Sequence, residues 1–214
     1  MEIQLKDTHF QKIINKIHLG DCLEFMQKLP DKCIDLVLTD PPYRDEQDNQ
    51  PTMDMRANGM IKNFGDKPST EMFDEIFRIS KKQIIFGSNN FELPPHKGFI
   101  VWNKGIAFDF TMSMCELAYI SETCGTIAKI FNVRCSGQGY RIHPTQKPVE
   151  LFQKILNYYS KEGDLVLDCF SGSGTTAIAC HNLKRNFICI EKDPDYYKAS
   201  VERLAIAQSQ LKIF

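Results

Sequence analysis

The chain has 214 residues, enough for one domain with a full hydrophobic core. Hydrophobic residues make up 43% and charged residues 25%, the balance of an ordinary globular protein, and no stretch approaches the ~20 apolar residues of a membrane-spanning helix. A formal net charge of −1 excludes steering of a nucleic acid by overall charge, so such a partner would have to meet a local patch.

The N-terminal stretch "MEIQLKDTHFQKIINK" lacks the continuous apolar core of a signal peptide, and a cytoplasmic location is expected. "KIHLG" (16–20) reads as a strand, with Asp21 capping a short helix through Leu29. "CIDLVLT" (33–39) reads as a buried strand. Residues 44–68 are polar and rich in Asp, Asn, Gly and Met, a loop long enough to suggest function or mobility. "STEMFDEIFRISK" (69–81) spaces Met72, Phe73, Ile76, Phe77 and Ile79 as on one helix face. "QIIFG" (83–87), "GFIVWN" (98–103) and "CELAYIS" (115–121) read as strands.

Residues 123–149 contain Lys129, Arg134, Arg141 and Lys147 and no Asp or Glu. "PVELFQKILNYYS" (148–160) opens a helix with proline in its first turn, where a missing N–H does no harm. "DLVLD" (164–168) is a strand, "TTAIACHNLK" (175–184) a helix, "FICIE" (187–191) a strand, and a terminal helix starts at Pro194. The alternation predicts a single α/β domain over 1–214. Its expected core is a doubly wound, mostly parallel sheet of about seven strands with helices on both faces. The eight cysteines form no CxxC pair and do not gather beside the histidines, so they read as reduced apolar fillers, with no metal site expected.

"LDCFSGSGTTAIA" (167–179) runs from strand into helix. Gly172 and Gly174 permit a tight turn and close approach of a ligand, and the next helix start offers unpaired N–H groups. Glu191, 19 residues after Gly172 at the end of the next strand, is placed to accept both hydroxyls of a ribose. The unit reads as a nucleoside site. Gly172-x-Gly174-x-x-Ala177 also fits the dinucleotide fingerprint, so NAD and S-adenosylmethionine both remain.

"TDPPY" (39–43) lies at the carboxyl end of its strand, the edge at which doubly wound sheets bind ligands. An exocyclic amino group on an aromatic ring is a poor nucleophile because its lone pair is delocalised. A site that accepts hydrogen bonds from both N–H groups draws the nitrogen towards a tetrahedral shape. The Asp40 carboxylate can accept one and the Pro41 carbonyl the other. Pro41 and Pro42 stiffen the backbone that holds them. The Tyr43 ring offers a face for a planar base, which must be flipped out of a duplex to reach it. Asp40, Pro41, Pro42 and Tyr43 are the candidate catalytic residues.

With these motifs in this order, the chain resembles the S-adenosylmethionine-dependent DNA amino-methyltransferases, more narrowly their permuted β group, from about Gly20 to Arg203. "TDPPY" resembles the family's catalytic motif and "LDCFSGSGTT" its cofactor loop. "HPTQKPVEL" (143–151) resembles the segment whose lysine and helix start hold the methionine carboxylate, which implies that role for Lys147. "GD" (20–21) resembles the motif whose acid, here Asp21, lies near the cofactor's adenine. The resemblance implies a Rossmann-like methyltransferase fold. It also implies S-adenosylmethionine contacts from Asp21, Lys147, Asp168, Phe170, Gly172, Gly174, Thr175 and Glu191.

Two features depart from the family pattern. Cys169 stands where Pro is common, and only about 20 residues, 122–142, are available for target recognition. A short site, the 44–68 loop or a partner would make up the difference, and the family's frequent dimers leave open a homodimer or a separate specificity subunit. Lys129, Arg134 and Arg141 are the expected contacts to double-stranded DNA. The resemblance implies N6 of adenine as the target, since cytosine-N4 relatives more often carry Ser in place of Asp40, with N4 of cytosine as the alternative. An NAD-dependent oxidoreductase rests on the glycine spacing alone, and a non-catalytic DNA-binding subunit is opposed by intact Asp40 and Tyr43.

Overall fold

A computed structural model describes residues 8–43, 67–108, 113–135 and 141–210. Residues 44–66 of the expected loop and 136–140 of the expected recognition segment lie outside the described residues.

The strands are β1 (Lys16–Leu19), β2 (Leu36–Thr39), β3 (Gln83–Phe86), β4 (Phe99–Asn103), β5 (Cys115–Ile120), β6 (Lys129–Asn132), β7 (Leu165–Asp168) and β8 (Asn186–Glu191). The helices are α1 (Thr8–Ile13), α2 (Cys22–Met26), α3 (Thr70–Ile79), α4 (Val149–Tyr159), α5 (Thr175–Asn182) and α6 (Pro194–Ser209). The strands form one sheet in the order β1-β8-β7-β2-β3-β5-β4-β6. Of these eight, β5 alone runs antiparallel to its neighbours β3 and β4. The α/β doubly wound class is as expected, with eight strands rather than about seven.

The added strand is β6, which pairs parallel to β4 at the sheet edge. Its residues alternate half-buried and exposed, so it needs little of the apolar content that marks the central strands. Several elements are shorter than their sequence patterns. The run from 33 gives β2 only from Leu36, because Ile34 instead forms an isolated bridge to Ser80. The Asp21-capped helix stops at Met26, and Pro148 is the cap of α4 rather than a residue of its first turn.

Period-two alternation sorts the central strands onto two cores. Leu36, Leu38, Val166, Phe187 and Cys189 face the cluster containing Leu151, Phe152, Ile155 and Leu156 of α4 and Ala177 and Ile178 of α5. Val37, Leu165, Leu167, Ile188 and Ile190 face the cluster containing Cys22 and Met26 of α2 and Met72, Phe73 and Ile76 of α3. All eight cysteines are free thiols, and Cys22, Cys169, Cys180 and Cys189 are buried in these cores. Among the described residues no helix is long and apolar enough to cross a membrane.

The sheet reverses its winding between β7 and β2, and the two strand ends there are tied together. Asp168 ends β7. Its Oδ1 accepts a hydrogen bond from Thr39 Oγ1 of β2 at 2.8 Å and from the Phe170 amide at 3.1 Å, and its Oδ2 accepts from Thr176 Oγ1 of α5 at 2.5 Å. Burial raises the Asp168 carboxyl from 3.8 to about 6, against the pull of these three donors. A carboxyl with a raised folded-state value binds its proton more tightly when folded. Its contribution is therefore full below about 4 and is lost as pH rises through about 6. In urea titrations, the stability of wild type relative to Asp168→Asn should fall over that window. Thr39→Val should cost about 1–3 kcal/mol at neutral pH, because it strips a donor from a buried carboxylate.

Candidate active site

Asp40 follows β2 directly, with Pro41 buried and Pro42 and Tyr43 half-buried behind it. The Tyr43 ring lies against Gly87, which follows β3 with φ +68°, and a Cβ built on Gly87 would stand 2.6 Å from Tyr43 Cδ1. Glycine is thus required twice, by the left-handed backbone and by the ring.

The Asp40 carboxylate is held from one side. Its Oδ2 accepts a hydrogen bond from Lys147 Nζ at 2.5 Å. Its Oδ1 is buried and has no hydrogen-bond partner among the described residues. Such an acceptor is costly unless something donates to it. Lys147 Nζ also lies 3.0 Å from Glu116 Oε2 of β5, an ion-pair contact without hydrogen-bond geometry, and Glu116 Oε1 pairs with Lys104 Nζ at 2.7 Å. Lys147 is enclosed further by the rings of Phe86 (5.6 Å) and Trp102 (5.8 Å), and Lys104 by Trp102 (5.3 Å). The four side chains make a line of alternating charge from Asp40 to Lys104.

Burial raises the proton affinity of the Asp40 carboxyl above the ordinary range, opposed by Lys147 and reinforced by Glu116. Burial also works against charge on Glu116, but Lys147 and Lys104 together hold it below its ordinary value. Burial opposes the Lys147 ammonium too, yet Asp40 and Glu116 more than restore it and keep it charged. The partner implied for Lys147 by resemblance was a cofactor carboxylate; in this structure the ammonium sits between two carboxylates of the chain itself.

At the neighbouring strand ends, the Gly172 amide donates to Glu191 Oε2 at 2.7 Å and the Asp193 amide to Oε1 at 2.8 Å. Each carboxylate oxygen keeps acceptor capacity beyond these bonds. Asp21 follows β1, which pairs with β8. Its Oδ1 caps α2 through the amides of Leu23 (2.9 Å) and Glu24 (3.3 Å), and its Oδ2 lies 3.4 Å from Lys192 Nζ.

The two loop glycines serve different ends. A Cβ on Gly172 (φ +49°) would fill the space before the His143 ring, at 3.5 Å. A Cβ on Gly174 (φ +72°) would instead stand 3.2 Å from Ile17 Cδ1 and from Ser200 Cβ. Gly174 thus lets the loop pack closely on β1 and α6. Burial, then the nearby Lys147, lowers His143 to about 4, so its ring is neutral at physiological pH. Thr175 Oγ1 donates to the Lys147 carbonyl at 3.1 Å, and Arg203 of α6 holds the Ser173 carbonyl at 2.8 Å and Thr175 Oγ1 at 3.2 Å.

The fold thus brings Asp21, Asp40, Tyr43, Lys147, Asp168, Phe170, Gly172, Gly174, Thr175 and Glu191 to the carboxyl edge of one sheet. Both Asp168 oxygens are engaged by Thr39, Thr176 and the Phe170 amide, so its visible work is to fix the loop. The three basic residues do not gather. Lys129 begins β6, at the opposite sheet edge, with its ammonium 5.0 Å from the Tyr158 ring. Arg134 follows the carboxyl end of β6 beside Gly105, and Arg141 donates to the Cys135 carbonyl at 2.6 Å. Sequence reading missed Glu116, Lys104, Gly87 and His143. An acid inside the apolar run "CELAYI" was the available signal for Glu116, since a half-buried strand charge calls for a partner.

Residues 121–202 match the model of the DNA methylase family. Over 90% of its length the chain is 28% identical to YubD of Escherichia coli K12, named as a candidate methylase, and covers 91% of that protein. It is 25% identical to the Type II methyltransferase M.HinfI of Haemophilus influenzae over 89% of this chain and 68% of that one. Among solved structures, the M1.HpyAVI–SAM complex superposes with a TM-score of 0.59 at 24% identity, covering 88% of this chain and 98% of that one. PvuII DNA methyltransferase, cytosine-N4-specific, superposes with a TM-score of 0.61 at 16% identity, covering 93% and 88%. The structures establish the Rossmann-like methyltransferase fold, and the resemblance to the DNA amino-methyltransferases stands.

Gly87→Ala should displace the Tyr43 ring and cost about 1–2 kcal/mol for its left-handed backbone. Thermal unfolding and a crystal structure of the variant check the two parts; an unmoved ring would contradict the packing described.

Proposed function

We propose that the chain methylates the N6 amino group of adenine in double-stranded DNA, using S-adenosylmethionine. The observation that carries this reading is the buried Asp40 Oδ1 at the end of β2, which has no hydrogen-bond partner among the described residues. It lies at the same sheet edge as the loop held by Glu191. The family match and the methyltransferase relatives support the reaction class. The acid at position 40 supports adenine over cytosine.

The residues present fit a bound nucleoside. The space before His143 that a Cβ at Gly172 would fill, the spare acceptor capacity of Glu191 and the α5 N-terminus suit an adenosine with an amino-acid tail. Asp21 and Glu191 would hold its adenosine end, and Gly172 and the first turn of α5 would border the rest. When bound, S-adenosylmethionine supplies a methyl group on a cationic sulfur, which departs with the bonding electron pair as a nitrogen attacks.

Asp40 Oδ1 accepts a hydrogen bond from the target amino group and the Pro41 carbonyl accepts the other, which concentrates the lone pair on nitrogen. Once the new N–C bond has formed, the surplus proton on nitrogen passes to Asp40 and then to solvent. Burial, which raises Asp40's affinity for a proton, suits it to that task. Tyr43, backed by Gly87, offers its face to the flipped base, a stacking contact worth about 1–3 kcal/mol. Arg134 and Arg141 are the DNA contacts nearest this edge, with Lys129 a more distant backbone contact.

Asp40→Ala should lower methyl transfer by about a thousandfold or more while S-adenosylmethionine affinity is unchanged. Glu191→Ala should weaken that affinity by about 1–3 kcal/mol. Calorimetry with the cofactor and tritium transfer to DNA separate the two effects. Substantial activity in Asp40→Ala would remove Asp40 from the chemistry.

A further inference from the structure

The line of charge behind Asp40 has two members that the reaction itself does not require. Glu116 lies within β5 and Lys104 just beyond β4, and neither follows a recognised motif. An acid placed inside a strand and taken out of water needs strong compensation. Glu116 has it from two ammonium groups, at 2.7 Å from Lys104 and 3.0 Å from Lys147, with side chains only 15%, 12% and 6% exposed. The same Lys147 ammonium grips Asp40 Oδ2. Lys147 is thus drawn both by the carboxylate that meets the substrate, at 2.5 Å, and by one that does not, at 3.0 Å.

We propose that Glu116 and Lys104 are positioning residues for Asp40: acting through Lys147, they hold its carboxylate in place and set how readily it takes a proton. The inference rests on the reading of Asp40 as the group that meets the target amino nitrogen. The line carries two negative and two positive charges, so removing either end changes what Asp40 feels in opposite senses. Without Glu116, a repelling charge disappears and Lys147 is left wholly to Asp40, so Asp40 holds its proton less tightly. Without Lys104, an attracting charge disappears and Glu116 draws harder on Lys147, so Asp40 holds its proton more tightly. These directions agree with the separate effects of Lys147, Glu116 and Lys104 on the Asp40 carboxyl. The other groups facing the line are Asp168 from β7, Tyr43 from the segment after β2, and His143 from the segment before α4. None is altered by either substitution.

The test is a pH titration of the Asp40 side chain by carbon NMR, in protein labelled at aspartate carboxyls and assigned by the peak lost in Asp40→Asn. Relative to wild type, Glu116→Gln should titrate lower and Lys104→Met higher, each by about one pH unit. Glu116→Asp, which keeps the charge, should return towards wild type. The acid limb of the methylation rate should shift in the same directions, with S-adenosylmethionine affinity unchanged. A merely structural role would weaken both variants without moving Asp40 in opposite directions. Midpoints that stay at the wild-type value, or move together, would overturn the proposal. The titration needs no turnover, so a wild-type protein inactive on every DNA would sink the functional reading while the coupling was still decided.

Discussion

One requirement organises the molecule: a carboxylate must be held aimed at a sheet edge that is largely closed to water. Burial raises the proton affinity of Asp40. The Lys147 ammonium opposes that, at 2.5 Å on one oxygen, and leaves the other oxygen open to a donor. Lys147 is itself buried, so it needs Glu116, and Glu116 needs Lys104. Phe86 and Trp102 close over the two cations and exclude the water that would screen them. Each charge is tolerable because the next one is present, and the line ends where Lys104 is half-buried.

The same edge is built by backbone economy elsewhere. At the winding reversal, Asp168 joins β2, β7 and α5 through Thr39, Phe170 and Thr176. This fixes the spacing between the "DPPY" end and the glycine loop. Glu191 then holds that loop through the Gly172 amide, and Arg203 holds it from α6 through the Ser173 carbonyl. Motifs far apart in the chain thus meet because neighbouring parallel strands end together, not because either motif reaches for the other.

Much of this was legible in the sequence. The central strands announce themselves by unbroken apolar runs, since both sheet faces are covered, and the start of α2 by Asp21, whose side chain caps it; Ser69 and Asp193 cap α3 and α6 in the structure. Edge strand β6 was not legible, because half of its residues face solvent. Nor was the partner of Lys147: ion pairs join residues 147, 116 and 40 across the sheet, and no local pattern encodes a contact between β5 and the start of α4. The packing role of Gly174 was not legible for a related reason: its neighbours Ile17 and Ser200 come from the two ends of the chain.

The central claim is that Asp40 directs methyl transfer to an amino nitrogen of adenine. The most direct measurement incubates unmethylated genomic DNA with the protein and S-adenosylmethionine labelled at the methyl group, then separates the nucleosides after complete digestion. The account predicts label in N6-methyladenosine deoxynucleoside with wild type and none with Asp40→Ala. Label in the N4-methylcytosine nucleoside, or equal labelling by the two proteins, would contradict it.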